Sequence, residues 1–397
     1  MSATTATTAT LIFTGKGGVG KTTVAASTAV HLADRGLRTL VISTDPAHSL
    51  GDCLQVGLDS TPLEIAPDLH AMELDTREEM ATRFASVRDV LVKQMAKHGV
   101  ESAVAEELVN FPGGDELFGL LKLAEVKASN EFDAIVVDTA PTGNTLRFLH
   151  FPEFLAPVRR ALRIDQAYTR TIRPFASIFG RELPRDDFFE SVFALFDAIE
   201  SARLEFLSGR TYFRFVLAPE KLAVVETQRA VSFLNVSGYT VDALVVNKII
   251  PPGVHDPLFR TWQQLHAEYL AETQRTFYPL RVFEVPLFGS EVLGLSMLRR
   301  VADVLYADVD PLARLTEHQL FGLERDERGF VMRVQLPALE ASDVQLFKDG
   351  DQITIELGGY ERRLHCPELL VSRDVVAAER EGNVLAIRFG EEEQAAA

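Results

Sequence analysis

The residues whose types and spacing most directly suggest chemistry lie near the amino terminus: Gly15, Lys16, Gly17, Gly18, Val19, Gly20, Lys21, Thr22 and Thr23. Their pattern is G-x-x-x-x-G-K-T, in which glycines let the backbone approach phosphate groups and the next helix points its first N–H groups at the anion. We predict that Lys21 binds the β- and γ-phosphates of ATP or ADP and that Thr22 binds Mg²⁺. The alternative is a Gly-rich turn before an ordinary helix.

The segments that flank this loop are those that phosphate binding requires. The apolar run from Ala9 to Phe13 predicts a buried strand before the loop. Apolar and small residues recur after it at helical spacing, namely Val24, Ala25, Thr28, Ala29 and Leu32. Lys16 places a second cation beside the predicted phosphate site, unless it is simply a solvated lysine of the loop.

Carboxylates follow two further apolar strands, at the sheet edge where parallel folds bind ligands. Asp45 follows the predicted strand 38–43 and is placed to orient the water that attacks the γ-phosphate. The pattern leaves open that Asp45 instead caps a helix from an Asp-Pro turn. Asp138 ends the predicted strand 132–138, and we predict that it holds Mg²⁺ directly or through water.

Composition narrows the classes of partner. The chain has 397 residues, of which 57 are acidic and 40 basic, so its formal charge is −17. This balance argues against nucleic acid as a main partner. The polar start, MSATTATTAT, lacks the features of a secretory signal, and no apolar run has the length of a membrane span. We therefore predict a cytoplasmic protein.

Several linked motifs carry a family resemblance over about residues 10–305. They are KGGVGKT in the loop, DPAHSLGD at 45–52, FPGGDE at 111–116, DTAPTGNTLRFL at 138–149, VLAPEKLAVVETQR at 216–229, VVNK at 245–248 and VPLFGSEVLGL at 285–295. Together they resemble the arsenite-pump ATPase family, and within it the branch related to the tail-anchored-protein targeting ATPase. The implied fold is α/β, with a doubly wound, mostly parallel P-loop sheet and an inserted α-helical subdomain at about 75–130 and 151–210.

The resemblance also implies roles for particular residues. It implies a homodimer with facing ATP sites, in which Lys16 crosses the interface to the partner's nucleotide. It further implies that Asn247 recognises adenine and that Pro286 and Leu287 line the base pocket. From the residues alone, the alternative is that Asn247 is a polar strand end that caps a loop, although its place at the carboxyl end of a strand also suits a base contact.

The region 151–210 is rich in phenylalanine, and part of it follows a helical pattern. In the targeting relatives the corresponding helices form a hydrophobic groove for client polypeptides. The resemblance therefore points to a client groove formed by Phe188, Phe189, Val192, Phe193 and Phe196. Packing between helices or across the dimer explains the same pattern.

The chain also lacks some functional residues of the proteins that it resembles. Asn247 to Leu270 contains no cysteine, whereas the eukaryotic targeting factor carries a zinc-binding C-x-x-C there, so no zinc is expected. Cys53 and Cys366 do not supply the thiolate set with which the arsenite pump binds metalloid. Asn144 stands where relatives usually have histidine.

After Pro311 the pattern changes to short alternating strands at 330–336, 344–347, 353–357, 360–364 and 384–389, separated by Gly-containing turns. This predicts an antiparallel β-sandwich. The segment resembles the α-crystallin domain of small heat-shock proteins, without their I-x-I tail. We predict an ATPase domain at 10–315 and a sandwich at 318–391, with disordered tails at 1–9 and 392–397.

Taken together, these features predict a homodimeric, Mg²⁺-dependent ATPase that binds and releases a hydrophobic client such as a tail-anchored segment. A membrane receptor is left open as a further partner. The alternatives are the ATPase subunit of a metalloid efflux system and an ATP-regulated chaperone with no targeting route. A positioning ATPase of the partition type would need a basic face or a terminal amphipathic helix, and neither is evident in the sequence.

Overall fold

The structure is a computed structural model that describes residues 8–45, 47, 49–75, 114–140, 186–207, 210–313, 315–316, 321–326, 329–335, 344–349, 352–357, 360–365, 368–381 and 384–390. Residues 1–7 and 392–397 of the predicted tails, residues 76–113, and residues 151–185 of the predicted helical region 151–210 lie outside this set. Asn144 does so as well, together with residues 111–113 of the FPGGDE motif.

Within the described residues, an eight-stranded sheet forms the centre of the amino-terminal part. Its strands are β1 (Ala9–Thr14), β2 (Thr39–Ser43), β3 (Leu63–Ala66), β4 (Leu69–Glu73), β5 (Ala134–Asp138), β6 (Thr211–Leu217), β7 (Val241–Ile249) and β8 (Arg281–Pro286). The order across the sheet is β3-β4-β2-β5-β1-β6-β7-β8. Only the pairing of β3 with β4 is antiparallel.

Helices pack on both faces of this sheet. They are α1 (Lys21–Asp34), α2 (Ser49–Leu54), α3 (Gly114–Ser129), α4 (Asp186–Leu207), α5 (Lys221–Val236), α6 (Pro257–Thr276) and α7 (Gly294–Tyr306). One apolar core, with α1 and α7, covers one face, and a second core, with α4 and α5, covers the other. The predicted doubly wound α/β fold is confirmed.

Strand register explains why the functional side chains meet. Asp138, the last residue of β5, pairs with Phe13 of β1 on one side and with Ser43 of β2 on the other. Ser43 in turn pairs with Glu73, the last residue of β4. Because these parallel strands are in register, their carboxyl ends form one level edge, from which the phosphate loop and Asp45 emerge.

The carboxyl-terminal part contains two antiparallel sheets. One joins β14 (Val375–Glu381), β15 (Val384–Phe389), β10 (Gly329–Gln335) and β9 (Phe321–Asp326), in that order. The other joins β11 (Val344–Asp349), β12 (Gln352–Leu357) and β13 (Tyr360–His365), and a short helix, α8 (Glu368–Val371), follows. A separate apolar core contains Met332, Ile353 and Ile387, contributed by both sheets, so the predicted sandwich is confirmed.

Two strands of this sandwich were missed in the sequence, β9 (FGLERD) and β14 (VVAAERE), because neither shows a clean alternation of apolar and polar residues. In the described part of the chain, no helix combines the length and apolarity needed to cross a membrane.

Candidate nucleotide site

The phosphate loop lies between β1 and α1, as predicted. Gly15 has φ 149° and lies so close to β6 that an added Cβ would collide with the carbonyl oxygen of Val216. Gly20, with φ 92°, leaves no room for a Cβ beside the side chain of Asn247. Only glycine satisfies both the backbone conformation and the close packing at these two positions.

Lys21, the first residue of α1, is buried beneath the loop with 6% of its surface exposed. Its Nζ donates to the carbonyl oxygen of Lys16 at 3.3 Å, so the ammonium folds back onto the loop. Burial lowers the pKa of Lys21, and the negative charges of Asp138, Asp45 and Glu226 oppose this shift. A cation that is held in a dry cleft suits phosphate binding, because an anion there restores the charge balance.

Thr22, on α1, contacts side chains of β5 and α2 at the predicted magnesium site. Its Oγ1 donates to Oδ2 of Asp138 at 2.7 Å and lies 3.0 Å from Oγ of Ser49 on α2. Ser43 donates weakly to the same Oδ2 at 3.4 Å. The sequence predicted Thr22 and Asp138, and the structure brings them into direct contact.

The environment of Asp138 fits a cation. Its side chain is fully buried, and among the described residues Oδ1 has no hydrogen-bond partner. Burial raises the pKa of Asp138 to about 7, against the hydrogen bond from Thr22 and the charge of Lys21. An orphaned carboxylate oxygen beside two hydroxyl groups is the hard oxygen environment that Mg²⁺ prefers. Thr22 and Asp138 would therefore hold Mg²⁺, which would balance the charge of the nucleotide phosphates when bound.

Asp45 lies just beyond β2, close enough to Lys21 and Asp138 to affect both electrostatically. Its backbone N–H donates to Oγ of Ser43 at 3.3 Å, and its Oδ1 accepts from the backbone N–H of Ala47 at 3.1 Å. This contact forms an Asx-type turn, and no described hydrogen bond makes Asp45 the cap of α2, which begins at Ser49. One oxygen stabilises the turn, and the water-orienting role of the carboxylate stays a prediction.

Asn247 and Lys248 bind the phosphate loop from the end of β7. The Asn247 amide donates to the carbonyl oxygen of Val19 at 2.9 Å and accepts from the backbone N–H of Lys248 at 2.8 Å. Lys248 Nζ donates to the carbonyl oxygen of Gly18 at 2.6 Å. Lys248 also has φ 60°, a left-handed conformation uncommon for lysine. The pair therefore braces the loop. For Asn247 this contact agrees with the alternative of a strand end that caps a loop, whereas the contact of Lys248 was not predicted.

The predicted base pocket lies beside this brace. Leu287 follows β8, its backbone N–H donates to the carbonyl oxygen of Ile249 at 2.7 Å, and its side chain is 47% exposed. Pro286 is half-buried at the end of β8. The adenine contacts proposed for Asn247, Pro286 and Leu287 stay predictions.

The residues predicted to form a client groove lie on α4. Phe196 is buried, with 8% of its surface exposed, and Phe193 is half-buried. At Phe196 this burial favours the alternative of helix packing. The side chains of Phe188, Phe189 and Val192 lie outside the described set, so the groove stays a prediction.

Four residues near the site were not singled out from the sequence: Ser43, Ser49, Glu73 and Lys248. Ser43 and Glu73 end strands, which is a usable signal in a parallel sheet. Among the described residues, no cluster of three or more His, Cys, Asp or Glu side chains is arranged to hold a metal ion.

Comparison with known proteins agrees with this geometry. Residues 8–307 match the model of the anion-transporting ATPase family, and residues 327–389 match the HSP20-like domain found in ArsA. A putative arsenical pump-driving ATPase from Chlorobaculum tepidum is 34% identical over 395 residues, which cover 97% of this chain and 96% of that protein.

Relatives that carry other names match about three quarters of this chain. ATPase GET3B of Arabidopsis thaliana is 34% identical over 322 residues, covering 74% of this chain and 77% of that protein. The ATPase ASNA1 homolog of Dictyostelium discoideum is 30% identical over 303 residues, covering 75% and 89%. This chain therefore belongs to the anion-transporting ATPase family, and it is an ATPase with an HSP20-like domain after its catalytic domain.

Proposed function

We propose that the protein is a homodimeric, Mg²⁺-dependent ATPase of the cytoplasm that couples ATP binding and hydrolysis to the binding and release of a hydrophobic client. The observation that carries the Mg²⁺-dependent chemistry is the contact of Thr22 with Asp138, whose second oxygen has no partner among the described residues. It supports a cation site at the edge of the sheet, next to the loop that holds the nucleotide phosphates.

The dimeric state is supported by Lys16. It is half-buried, and no hydrogen bond or ion pair joins its ammonium to a described residue. The KGGVGKT motif resembles loops in which this lysine reaches a partner's nucleotide. A cation delivered across an interface stabilises the charge that develops during phosphoryl transfer.

The client is proposed from the resemblance of the linked motifs to the tail-anchored-protein targeting branch. The test is to co-express the Asp45→Asn variant with a carrier protein that ends in an apolar helix of about 20 residues. A matched carrier has two lysines at the centre of that helix. We expect ATP-dependent co-purification of the apolar carrier alone. Equal recovery of both carriers, or recovery independent of nucleotide, would contradict the proposal.

A second candidate, the ATPase subunit of an arsenite efflux system, is favoured by the name of the relative that matches nearly the whole chain. The described residues supply only one cysteine, Cys53, which is buried. Burial raises the pKa of the Cys53 thiol to about 11, which disfavours the thiolate that binds metalloid. Turnover measured with and without arsenite distinguishes the candidates, because only the pump subunit should be stimulated.

A further inference from the structure

Glu73 holds the first turn of α2. It is the last residue of β4, its side chain is 6% exposed, and its Oε1 accepts from the backbone N–H groups of Leu50 at 2.8 Å and Gly51 at 2.9 Å. The first N–H groups of a helix have no partner within the helix. A carboxylate at this position satisfies two of them and interacts favourably with the helix dipole.

The turn that Glu73 holds carries a residue of the nucleotide site. Ser49 begins α2, and its Oγ lies 3.0 Å from Oγ1 of Thr22, which in turn donates to Asp138. Glu73 therefore binds the backbone next to Ser49, which contacts Thr22, one of the two proposed Mg²⁺ ligands.

The backbone of Glu73 is itself held by neighbouring residues. Its backbone pairs in register with Ser43, and its N–H donates to the carbonyl oxygen of Asp59 at 2.9 Å. Ser43 in turn accepts from the backbone N–H of Asp45. The segment that joins β2 to α2, which contains Asp45, is thus anchored at its start by Ser43 and at its end by Glu73.

The far end of α2 is also defined. Gln55 follows the helix with φ 61°, its N–H donates to the carbonyl oxygen of Asp52, and the N–H of Val56 donates to that of Gly51. These two hydrogen bonds form a Schellman motif, which ends the helix. Hydrogen bonds therefore specify both ends of α2, and Glu73 accepts those at its start.

We propose that Glu73 is a positioning residue for ATP hydrolysis. By binding the N–H groups of Leu50 and Gly51, it sets the positions of Ser49 and Asp45 relative to Thr22 and Asp138. The inference rests on the roles proposed above for Asp45 and the Mg²⁺ site. It adds a group that touches neither nucleotide nor metal and acts through α2.

The test compares Glu73→Ala, which removes the acceptor, with Glu73→Gln, which keeps an acceptor oxygen but loses the charge. The control is Glu64→Ala, because Glu64 is an exposed carboxylate on the neighbouring strand β3. Three quantities are measured: hydrogen exchange at residues 50 and 51 in nucleotide-free protein, the Mg²⁺ concentration that half-saturates ADP binding, and kcat per nucleotide-binding site.

For Glu73→Ala we expect amide exchange about tenfold faster, a higher Mg²⁺ requirement, and a kcat lower by about tenfold with an unchanged KM for ATP. Glu73→Gln should lie between wild type and Glu73→Ala, because charge-assisted hydrogen bonds are the stronger ones. Glu64→Ala should match wild type in all three measurements.

A purely structural role would lower the melting temperature and the fraction of active protein, but not kcat per binding site. The proposal is overturned if that kcat equals the wild-type value in Glu73→Ala, or in Glu73→Gln should Glu73→Ala not fold. Failure of the Asp45 assignment would be seen separately, as turnover by Asp45→Asn, and would leave the exchange result at residues 50 and 51 intact.

Discussion

The guanidinium group of Arg214 on β6 and the carboxylate of Asp242 on β7 form a two-point ion pair in which neither side chain is exposed. Nε lies 2.9 Å from Oδ1 and Nη2 lies 2.8 Å from Oδ2. Nη2 also donates to the carbonyl oxygen of Pro311 at 2.6 Å. The pair therefore fastens the segment after α7, which leads to the sandwich, onto the central sheet.

Asp242→Ala should strongly destabilise the ATPase domain. Removing one partner leaves the Arg214 charge buried without a counter-ion, which lowers the free energy of unfolding by about 3–5 kcal/mol. Urea denaturation measures the change. The control is Asp34→Ala, which breaks the ion pair between Asp34 and Arg299. Both side chains of that pair are nearly half exposed, so its loss should lower the free energy of unfolding by at most about 1 kcal/mol. Similar losses in the two variants would contradict the assigned importance of burial.

The segment after α7 also predicts where the chain can be truncated without loss of the ATPase domain. The family match ends at 307, but Leu312 and Leu315 pack against the core beside α1, and Thr316 is 4% exposed. A chain that ends after Thr316 should fold and hydrolyse ATP at the rate of the full chain.

A matched chain that ends after Ala307 loses the acceptor at Pro311 and these apolar contacts, so it should melt at a lower temperature. Thermal unfolding and turnover of the two truncated chains check both statements. Equal stability would show that residues 308–316 do not belong to the ATPase core.

Asp45→Asn should retain ATP binding and lose hydrolysis. The amide oxygen of asparagine still accepts from the N–H of Ala47, so the turn seen in the structure is kept and only the charge is lost. Loss of a group that orients or deprotonates water lowers kcat by about 10²-fold or more. Single-turnover hydrolysis and nucleotide titration separate the two effects, and wild-type turnover would refute the assignment.

The parts of the fold that sequence patterns predict are those in which each segment carries its own signal. The strands β1, β2 and β5 are buried throughout, so their apolar runs are unbroken, and the glycines of the loop meet a steric need. By contrast, β3 (LEIA) lies at the sheet edge with exposed residues, and its short segment carries no buried face.

There is also a physical reason why sequence patterns do not predict some contacts at the nucleotide site. The hydrogen bonds from Asn247 to Val19 and from Lys248 to Gly18 join residues 228 and 230 positions apart. Spacing carries no information about such contacts, since they depend on the order of β1, β6 and β7 in the sheet. Glu73 presents the same difficulty, because its partners on α2 become neighbours only through the pairing of β4 with β2.

Lys16 should act across the interface of the proposed dimer. Lys16→Ala is expected to lower turnover by about 10³-fold while each protomer still binds nucleotide, by analogy with cations supplied in trans. Mixing inactive Lys16→Ala with inactive Asp45→Asn should give dimers in which one site has both groups. Partial recovery of turnover supports action in trans, whereas its absence in dimers shown to be mixed counts against it.

Substitution by aspartate should have different effects on folding at two phenylalanines of α4, because Phe196 is buried and Phe193 is half-buried. Phe196 is 8% exposed, so Phe196→Asp buries an unpaired charge and should destabilise the domain by several kcal/mol. Phe193 is half-buried, so Phe193→Asp should leave a folded ATPase with wild-type turnover that no longer retains the apolar carrier in ATP. Leu204→Asp is the control on the same helix, because Leu204 is 54% exposed and lies outside the predicted groove.

Melting temperature, turnover and carrier capture are measured on all three variants. If Phe193→Asp unfolds as Phe196→Asp does, this face of α4 is protein core and the groove hypothesis is wrong. If Phe193→Asp folds and still captures the carrier, the client binds elsewhere, and capture by the chain that ends after Thr316 shows whether the sandwich is needed.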